Sequence, residues 1–260
     1  MSFLLDKHIF LSRDEEKASD FIDLLNEKDA KISALPLIKF ESTDLDESQA
    51  LFNQLRDFDW IVFTSANGVE YFFHHLENHR LSIEPLKQLK MAVVGTKTEQ
   101  TLQQFGFNAD FIPSHFDAEH FSREFTERYH PRHVLMIKGN LSRRVIDEAF
   151  DRVGCHYENM YVYRTLTNAE IQKPLNHLVD QQEIDAWVFT SPSSIEAFFK
   201  LINHRGASVL GKPCFCIGHT TEIKAKEYRF KHTLVPDVFT LEGLAYKVIE
   251  YYARKESKNE

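Results

Sequence analysis

Short apolar runs and amphipathic stretches take turns along the whole chain. Residues 9–12, 61–64, 91–94, 134–137, 187–190 and 214–217 are rich in Val, Ile and Phe, and each precedes a polar or glycine-containing turn. A segment of helical period follows each time. In residues 67–76, for example, Val69, Phe72, Phe73 and Leu76 form one apolar stripe, with Ser65 or Asn67 placed to cap the helix and Ser191 or Ser193 in the matching place later on. Strands that are apolar throughout are buried on both faces, so the pattern predicts an α/β fold with parallel sheets covered by helices on each side.

The pattern also repeats. Residues 59–73, DWIVFTSANGVEYFF, return as residues 185–199, DAWVFTSPSSIEAFF, and the stretch from Val94 aligns with that from Ile217. The second alignment pairs Gly95 with Gly218, Thr98 with Thr221, Glu99 with Glu222, Phe107 with Phe230, Pro113 with Pro236, Phe116 with Phe239 and Glu119 with Glu242. The segment from Ile9 further resembles that from Val134 in the order strand, turn, amphipathic helix, long extended piece. The chain is thus two copies of one α/β unit. The extended pieces, about residues 33–42 and 158–167, are longer than one strand needs, so each can leave one sheet and enter the other. Two arrangements stay open: a crossing one, in which the C-terminal third completes the sheet begun at the N-terminus, and a plain tandem split near residue 125.

Composition narrows the function. A formal net charge of −8 argues against wide nucleic-acid contact, which needs a basic face, but leaves room for a small anionic ligand at helix N-termini. No apolar run approaches the roughly 20 residues of a membrane helix. The N-terminus turns acidic where an export signal would continue apolar. Three thiols, Cys155, Cys214 and Cys216, suit a reducing cytoplasm. Cys214 and Cys216 read as alternating across a buried strand, unable to face one site together. His74 with His75, and His130 with His133, do not form a metal-ligand pattern, so no metal is expected.

Taken together, the paired FTS-x-x-x-(V/I)-E-x-F motifs at Phe63 and Phe189, IGHTTE at Ile217, VYRT at Val162 and TLEGL at Thr240 resemble the uroporphyrinogen-III synthase family over essentially the whole chain. The resemblance implies two flavodoxin-like parallel-sheet domains joined by a two-stranded β connector. Domain one would comprise residues 1–37 plus 168–260 and domain two residues 38–167, with the active-site cleft between them. It further implies a lyase without cofactor or metal that cyclises hydroxymethylbilane to uroporphyrinogen III, losing water and inverting ring D through a spiro intermediate. Tyr163 corresponds to a tyrosine implicated in this family and would act as general acid. The substrate is a polycarboxylate tetrapyrrole, which needs many hydrogen-bond donors. Strand-to-helix turns supply them: Ser65, Thr96, Lys97, Thr98, Lys138 and Gly139 in domain two, and Arg13, Ser191, Ser193, Gly218, Thr220 and Thr221 in domain one. Lys97 and His219 depart from the commoner family pattern. A cytoplasmic monomer is expected, with no nucleic-acid or membrane partner and a transient hand-over from hydroxymethylbilane synthase. A non-catalytic two-domain ligand-binding or sensor protein, or an inactive paralogue, is the competing reading.

Overall fold

The computed structural model describes residues 4–44, 49–204 and 206–256. It divides into two compact units, residues 1–39 with 166–260, and residues 40–165. In chain order the first unit contributes β1 (His8–Leu11), α1 (Ser19–Asn26) and β2 (Lys31–Ala34). The second then follows with β3 (Ile38–Ser42), α2 (Gln49–Asn53), β4 (Trp60–Phe63), α3 (Ala66–Asn78), β5 (Lys90–Val93), α4 (Thr96–Gln104), α5 (Ala118–Tyr129), β6 (His133–Gly139), α6 (Val145–Val153) and β7 (His156–Thr167). The chain returns to the first unit with α7 (Gln172–Gln181), β8 (Ala186–Phe189), α8 (Pro192–Leu201), α9 (Ala207–Leu210), β9 (Pro213–Cys216), α10 (His219–Glu227), β10 (His232–Leu234) and α11 (Leu241–Glu256).

The first sheet runs β10-β9-β8-β1-β2, which in chain order is 2-1-3-4-5, the flavodoxin-like doubly wound arrangement. The second runs β3-β7-β6-β4-β5, and an isolated parallel bridge from Ala92 to Phe111 extends it beyond β5. Read as β7-β6-β4-β5-Phe111, it matches β2-β1-β8-β9-β10 strand for strand, as the internal repeat pairs them. The second sheet adds β3 beside β7, and the point at which the chain enters each sheet differs. Pro36, which has no N–H to give a ladder, separates β2 from β3, whereas the later extended piece is the single strand β7. Asn168 N–H donates to Leu37 O and Thr43 N–H to Val162 O, so β3 and β7 run antiparallel. The two boundaries between the units fall inside these two strands.

Both faces of each sheet are buried. In the first sheet Phe10, Trp187, Phe189, Cys214 and Cys216 face α7, α8 and α10, while Ile9, Leu11, Ala186, Val188 and Phe215 face α1 and α11. In the second, Ile61, Phe63, Met91, Val93, Leu135 and Ile137 face α3 and α4, and Trp60, Val62, Val134 and Met136 face α5 and α6. The repeat extends to packing geometry. Phe63 meets Phe72 at 5.5 Å and 74°, and Phe189 meets Phe198 at 5.4 Å and 73°. Phe73 stacks on Phe105, and Phe199 on Tyr228, each at 4.4 Å and 6°. Asp59 accepts the His133 N–H at the start of β6, and Asp185 accepts the His8 N–H at the start of β1.

The expected opposition of Cys214 and Cys216 across β9 does not occur. The Cys214 and Cys216 sulfurs lie 3.8 Å apart on the same face of β9, because residues two apart on a strand share a face. Both are fully buried, and burial pushes the Cys214 thiol well above its usual range. They behave as small core hydrophobes.

Candidate functional site

In a doubly wound sheet, ligands sit outside the carboxyl ends of the strands where the order reverses. That point lies between β4 and β6 in the second unit and between β1 and β8 in the first.

At the end of β4 the backbone stays extended through Ser65, whose side chain accepts the Gly68 N–H at 3.0 Å and caps α3. The same hydroxyl lies 3.2 Å from the Tyr163 phenol. Tyr163 is 8% exposed. Its ring stacks on Tyr71 at 5.4 Å and 26° and meets Phe40 edge-on at 5.8 Å. Gly139 at the end of β6 lies directly beneath it, and a Cβ there would fall 2.3 Å from Tyr163 Cζ. Only glycine lets the phenol lie across the β6 end and reach Ser65. Three residues singled out from separate motifs, Ser65, Gly139 and Tyr163, therefore meet at one point. Tyr71 and Phe40, which hold the ring, were not singled out. The spacing of Tyr71 one residue before the Phe72–Phe73 pair is that of an ordinary helix flank. Burial, then Glu70, Glu41 and Tyr163, raise the Tyr71 phenol pKa above 10.0.

Lys138 does not greet a ligand as its place at a strand end suggested. It is 1% exposed, and its Nζ donates to Asp147 of α6 at 2.5 Å. The Asn159 amide donates to the other carboxylate oxygen at 2.9 Å. Burial alone would raise the Asp147 pKa, but these donors outweigh it and hold the group below 3.8. The strand end thus carries a satisfied buried ion pair.

The second rim turn in this unit is Gly95, the extended N-cap of α4. Thr96 and Lys97 are exposed, whereas Thr98 is buried. The first N–H groups of a helix have no intrahelical acceptor, so Thr96 and Lys97 present them outward.

The first unit repeats this layout. Ser191 caps α8 by accepting the Ser194 N–H at 3.1 Å, and its hydroxyl lies 3.0 Å from that of Ser193. Buried Ser12, at the end of β1, accepts the Thr190 N–H at 3.2 Å and donates to Ser194 Oγ at 3.3 Å. Ser12 and Ser194 brace the turn and were not anticipated, since a serine beside a cap motif carries no further mark. Arg13 is half-buried, and its Nε donates to Lys17 O at 3.0 Å within its own loop. Gly218 is the extended N-cap of α10, with His219 and Thr220 exposed and Thr221 buried. Thr98 and Thr221, expected as exposed donors, are thus both buried. Among the described residues the first unit has no counterpart of the Tyr163 arrangement, and residues 31–42, equivalent to β7, carry no tyrosine. Among the described residues, no three His, Cys, Asp or Glu side chains converge as metal ligands would. Among the same residues, no helix is long and apolar enough to cross a membrane.

The sequence model of the family described as "Uroporphyrinogen-III synthase HemD" matches residues 19–245. The chain is 26% identical to the "Uroporphyrinogen-III synthase" of Synechococcus elongatus, over 97% of this chain and 97% of that protein. It is 24% identical to the "Porphyrin biosynthesis protein HemD" of Ruminiclostridium josui, over 95% of this chain but only 49% of that longer protein, so it spans about half of that relative. Among solved structures it resembles a mutant uroporphyrinogen III synthase from Thermus thermophilus, with a TM-score of 0.70 at 16% identity over 96% of this chain and 99% of that one. It also resembles the uroporphyrinogen-III synthetase of Helicobacter pylori, with a TM-score of 0.64 at 18% identity over 94% and 99%. These structural likenesses establish the fold.

Proposed function

The chain belongs to the uroporphyrinogen-III synthase HemD family, and from that premise we propose that it cyclises hydroxymethylbilane to uroporphyrinogen III. The observation that carries this reading is the meeting of Ser65, Gly139 and Tyr163 at the carboxyl ends of β4 and β6.

In the proposed reaction, Tyr163 gives its phenolic proton to the terminal hydroxyl, which departs as water and leaves an azafulvene cation. The cation is attacked by the substituted carbon of the last pyrrole, giving a spiro intermediate. Rearrangement and loss of one ring proton then close the macrocycle with ring D inverted, and that proton returns to the phenolate. Ser65 suits this role. Its oxygen accepts from Gly68 and either hydroxyl can donate across the contact with Tyr163, so in the reacting arrangement Ser65 donates to the Tyr163 oxygen. The phenolic proton then remains for the leaving group, and the phenolate that follows keeps a donor. Burial of the phenol keeps bulk water from a cation that water would otherwise capture.

The acetate and propionate groups would be held by rim donors: the turns at Ser65 and at Thr96–Lys97 in one unit, and those at Ser191–Ser193 and Gly218–Thr220 in the other. Helix N-termini bind carboxylates without a fixed cation beside the reacting carbon. Much of the rate would come from holding the bilane curled, ends together. We also propose action as a monomer, without cofactor or metal, on bilane handed over by its synthase in the cytoplasm.

The test supplies hydroxymethylbilane freshly made by its synthase, oxidises the products and separates porphyrin isomers I and III. Excess isomer III is expected. Isomer I alone, as in the uncatalysed closure, would leave a binding protein or an inactive paralogue as the reading.

A further inference from the structure

We propose that Phe116 and Phe239 are substrate-contacting residues, each laying its ring against a pyrrole face of the tetrapyrrole at the rim of its own unit. The inference rests on the function proposed above and adds to it the residues that meet the apolar part of the substrate.

Phe116 and Phe239 occupy the same position in the two copies of the repeat. Each is a large apolar side chain left mostly in water, 58% and 55% exposed. Each packs over the glycine of a rim turn. A Cβ on Gly95 would stand 3.4 Å from Phe116 Cβ, and one on Gly218 would stand 3.7 Å from Phe239 Cγ. Each also directly precedes a helix N-cap: Asp117 accepts the His120 N–H at 2.7 Å, and Thr240 accepts the Gly243 N–H at 3.0 Å.

The bland role for an apolar residue at this place is a hydrophobic staple against the fourth helical residue. Those partners are Phe121 and Leu244, and both are already fully buried in the core. A staple would bury the preceding ring as well, yet more than half of each Phe surface stays open. Meanwhile the neighbours have diverged between the copies. His115 answers to Val238, Asp117 to Thr240 and His120 to Gly243, so the shared phenylalanine is not a by-product of a locally invariant loop.

Beside each ring lie the exposed first residues of α4 or α10, Thr96 with Lys97 or His219 with Thr220. His219 meets the Phe239 ring edge-on at 5.3 Å. A mostly exposed aromatic ring next to helix N-terminal N–H groups and hydroxyls is complementary to a flat π-system with carboxylates on its edge. A pyrrole bearing acetate and propionate has that form.

The test compares Phe→Ala, Phe→Leu and Phe→Tyr at 116 and at 239 in the full chain. Steady-state kinetics use freshly made hydroxymethylbilane, and uroporphyrin III binding is read by fluorescence titration. Circular dichroism and thermal melts check the fold. Each Ala and Leu variant is expected to raise KM and the uroporphyrin Kd about tenfold with kcat nearly unchanged, and Tyr to restore both. The share of isomer I should rise, because unbound bilane closes by itself. Wild-type KM, Kd and isomer ratio in the Ala variants would overturn the inference. So would full recovery by Leu, which keeps the apolar bulk and loses the π-face. A wild-type protein that binds uroporphyrin through these rings but forms no isomer III would refute the proposed activity and leave the ring contact standing. One that neither binds nor cyclises would refute both.

Discussion

At the scale of single residues, Tyr163 and Lys138 show what local sequence conceals. Tyr163→Phe keeps the ring between Tyr71 and Phe40 and removes only the hydroxyl that meets Ser65. It is expected to fold normally and form isomer III about 10²–10⁴-fold more slowly, with isomer I accumulating. Wild-type kcat/KM in this variant would reduce the phenol to packing. Gly139→Ala should reproduce much of that loss without touching the tyrosine. Its Cβ would occupy the ring position, so Tyr163 must move, at a stability cost of about 1–3 kcal/mol. Equal melting temperatures and rates for this variant and wild type would show that the ring tolerates displacement. The convergence of Ser65, Gly139 and Tyr163 was not legible, because nothing in three distant motifs says which strand ends become neighbours. Lys138 was misplaced for a different reason. A lysine closing an apolar strand reads as a rim cation, but Asp147, nine positions on, lies on the helix covering that face. Lys138→Ala should therefore cost about 3–5 kcal/mol by leaving a buried carboxylate unpaired, and Lys138→Met with Asp147→Leu should recover most of it. Exposed Lys97 is the contrasting case: Lys97→Gln should raise KM about fivefold, the worth of roughly 1 kcal/mol at the surface, and leave kcat alone. A fall in kcat alone would instead place Lys97 in the chemical step.

At the scale of elements, existence and type followed from the apolar pattern, and of the two cap candidates at each FTS turn the first is the cap. Continuous apolar strands gave sheets buried on both faces, and the serines of the two FTS turns cap α3 and α8 with the same bond. Ser191→Ala is expected to cost about 1 kcal/mol, the usual value of such a cap. What the pattern could not reveal is how one element is fastened to another. His75 on α3 is an example. Its Nε2–H donates to Val162 O of β7 at 3.2 Å and lies 3.0 Å from Ser42 Oγ at the end of β3. In the sequence it is simply the second of two adjacent histidines. Burial lowers its pKa from 6.5, with His79 and His74 acting in the same direction and the Val162 bond opposing them. The unfolded chain therefore takes up a proton near pH 6.5 that the folded chain resists, and stability must fall as pH drops below that value. Asp147 acts later. Its folded pKa lies below 3.8, so the stability it contributes is present above about pH 4 and disappears as pH falls through the lowered value. Denaturant midpoints measured from pH 7.5 to 5 should decline in the wild type and decline less in His75→Gln. An unchanged slope would mean that other groups, buried His8 first among them, carry the acid sensitivity.

At the scale of the whole molecule, the unit that repeats in sequence is not the unit that folds. The repeat pairs β1 with β6, β8 with β4 and β9 with β5, so each half of the chain carries one copy of every part. Yet β1 hydrogen-bonds to β8, from the opposite half, and β4 to β6. A chain cut near residue 125 would leave β1 without β8 and β4 without β6. Each sheet would be opened at its most buried seam, exposing unpaired parallel edges that have no solvent-side design. The segment 40–165, by contrast, keeps β4, β5 and β6 with their own partners and contains both of its core layers, residues such as Phe63 and Phe72 on one face and Trp60 and Phe125 on the other. Its length is within the range in which a single domain buries enough surface to fold alone. Cutting there removes only the outer residues of β3 and β7. Residues 40–165 expressed alone are thus expected to melt cooperatively with α/β circular dichroism, and residues 1–125 to remain unfolded or aggregate. The opposite result would show that the halves related by sequence are also the stable domains, and that pairing across the two copies is secondary to folding within each.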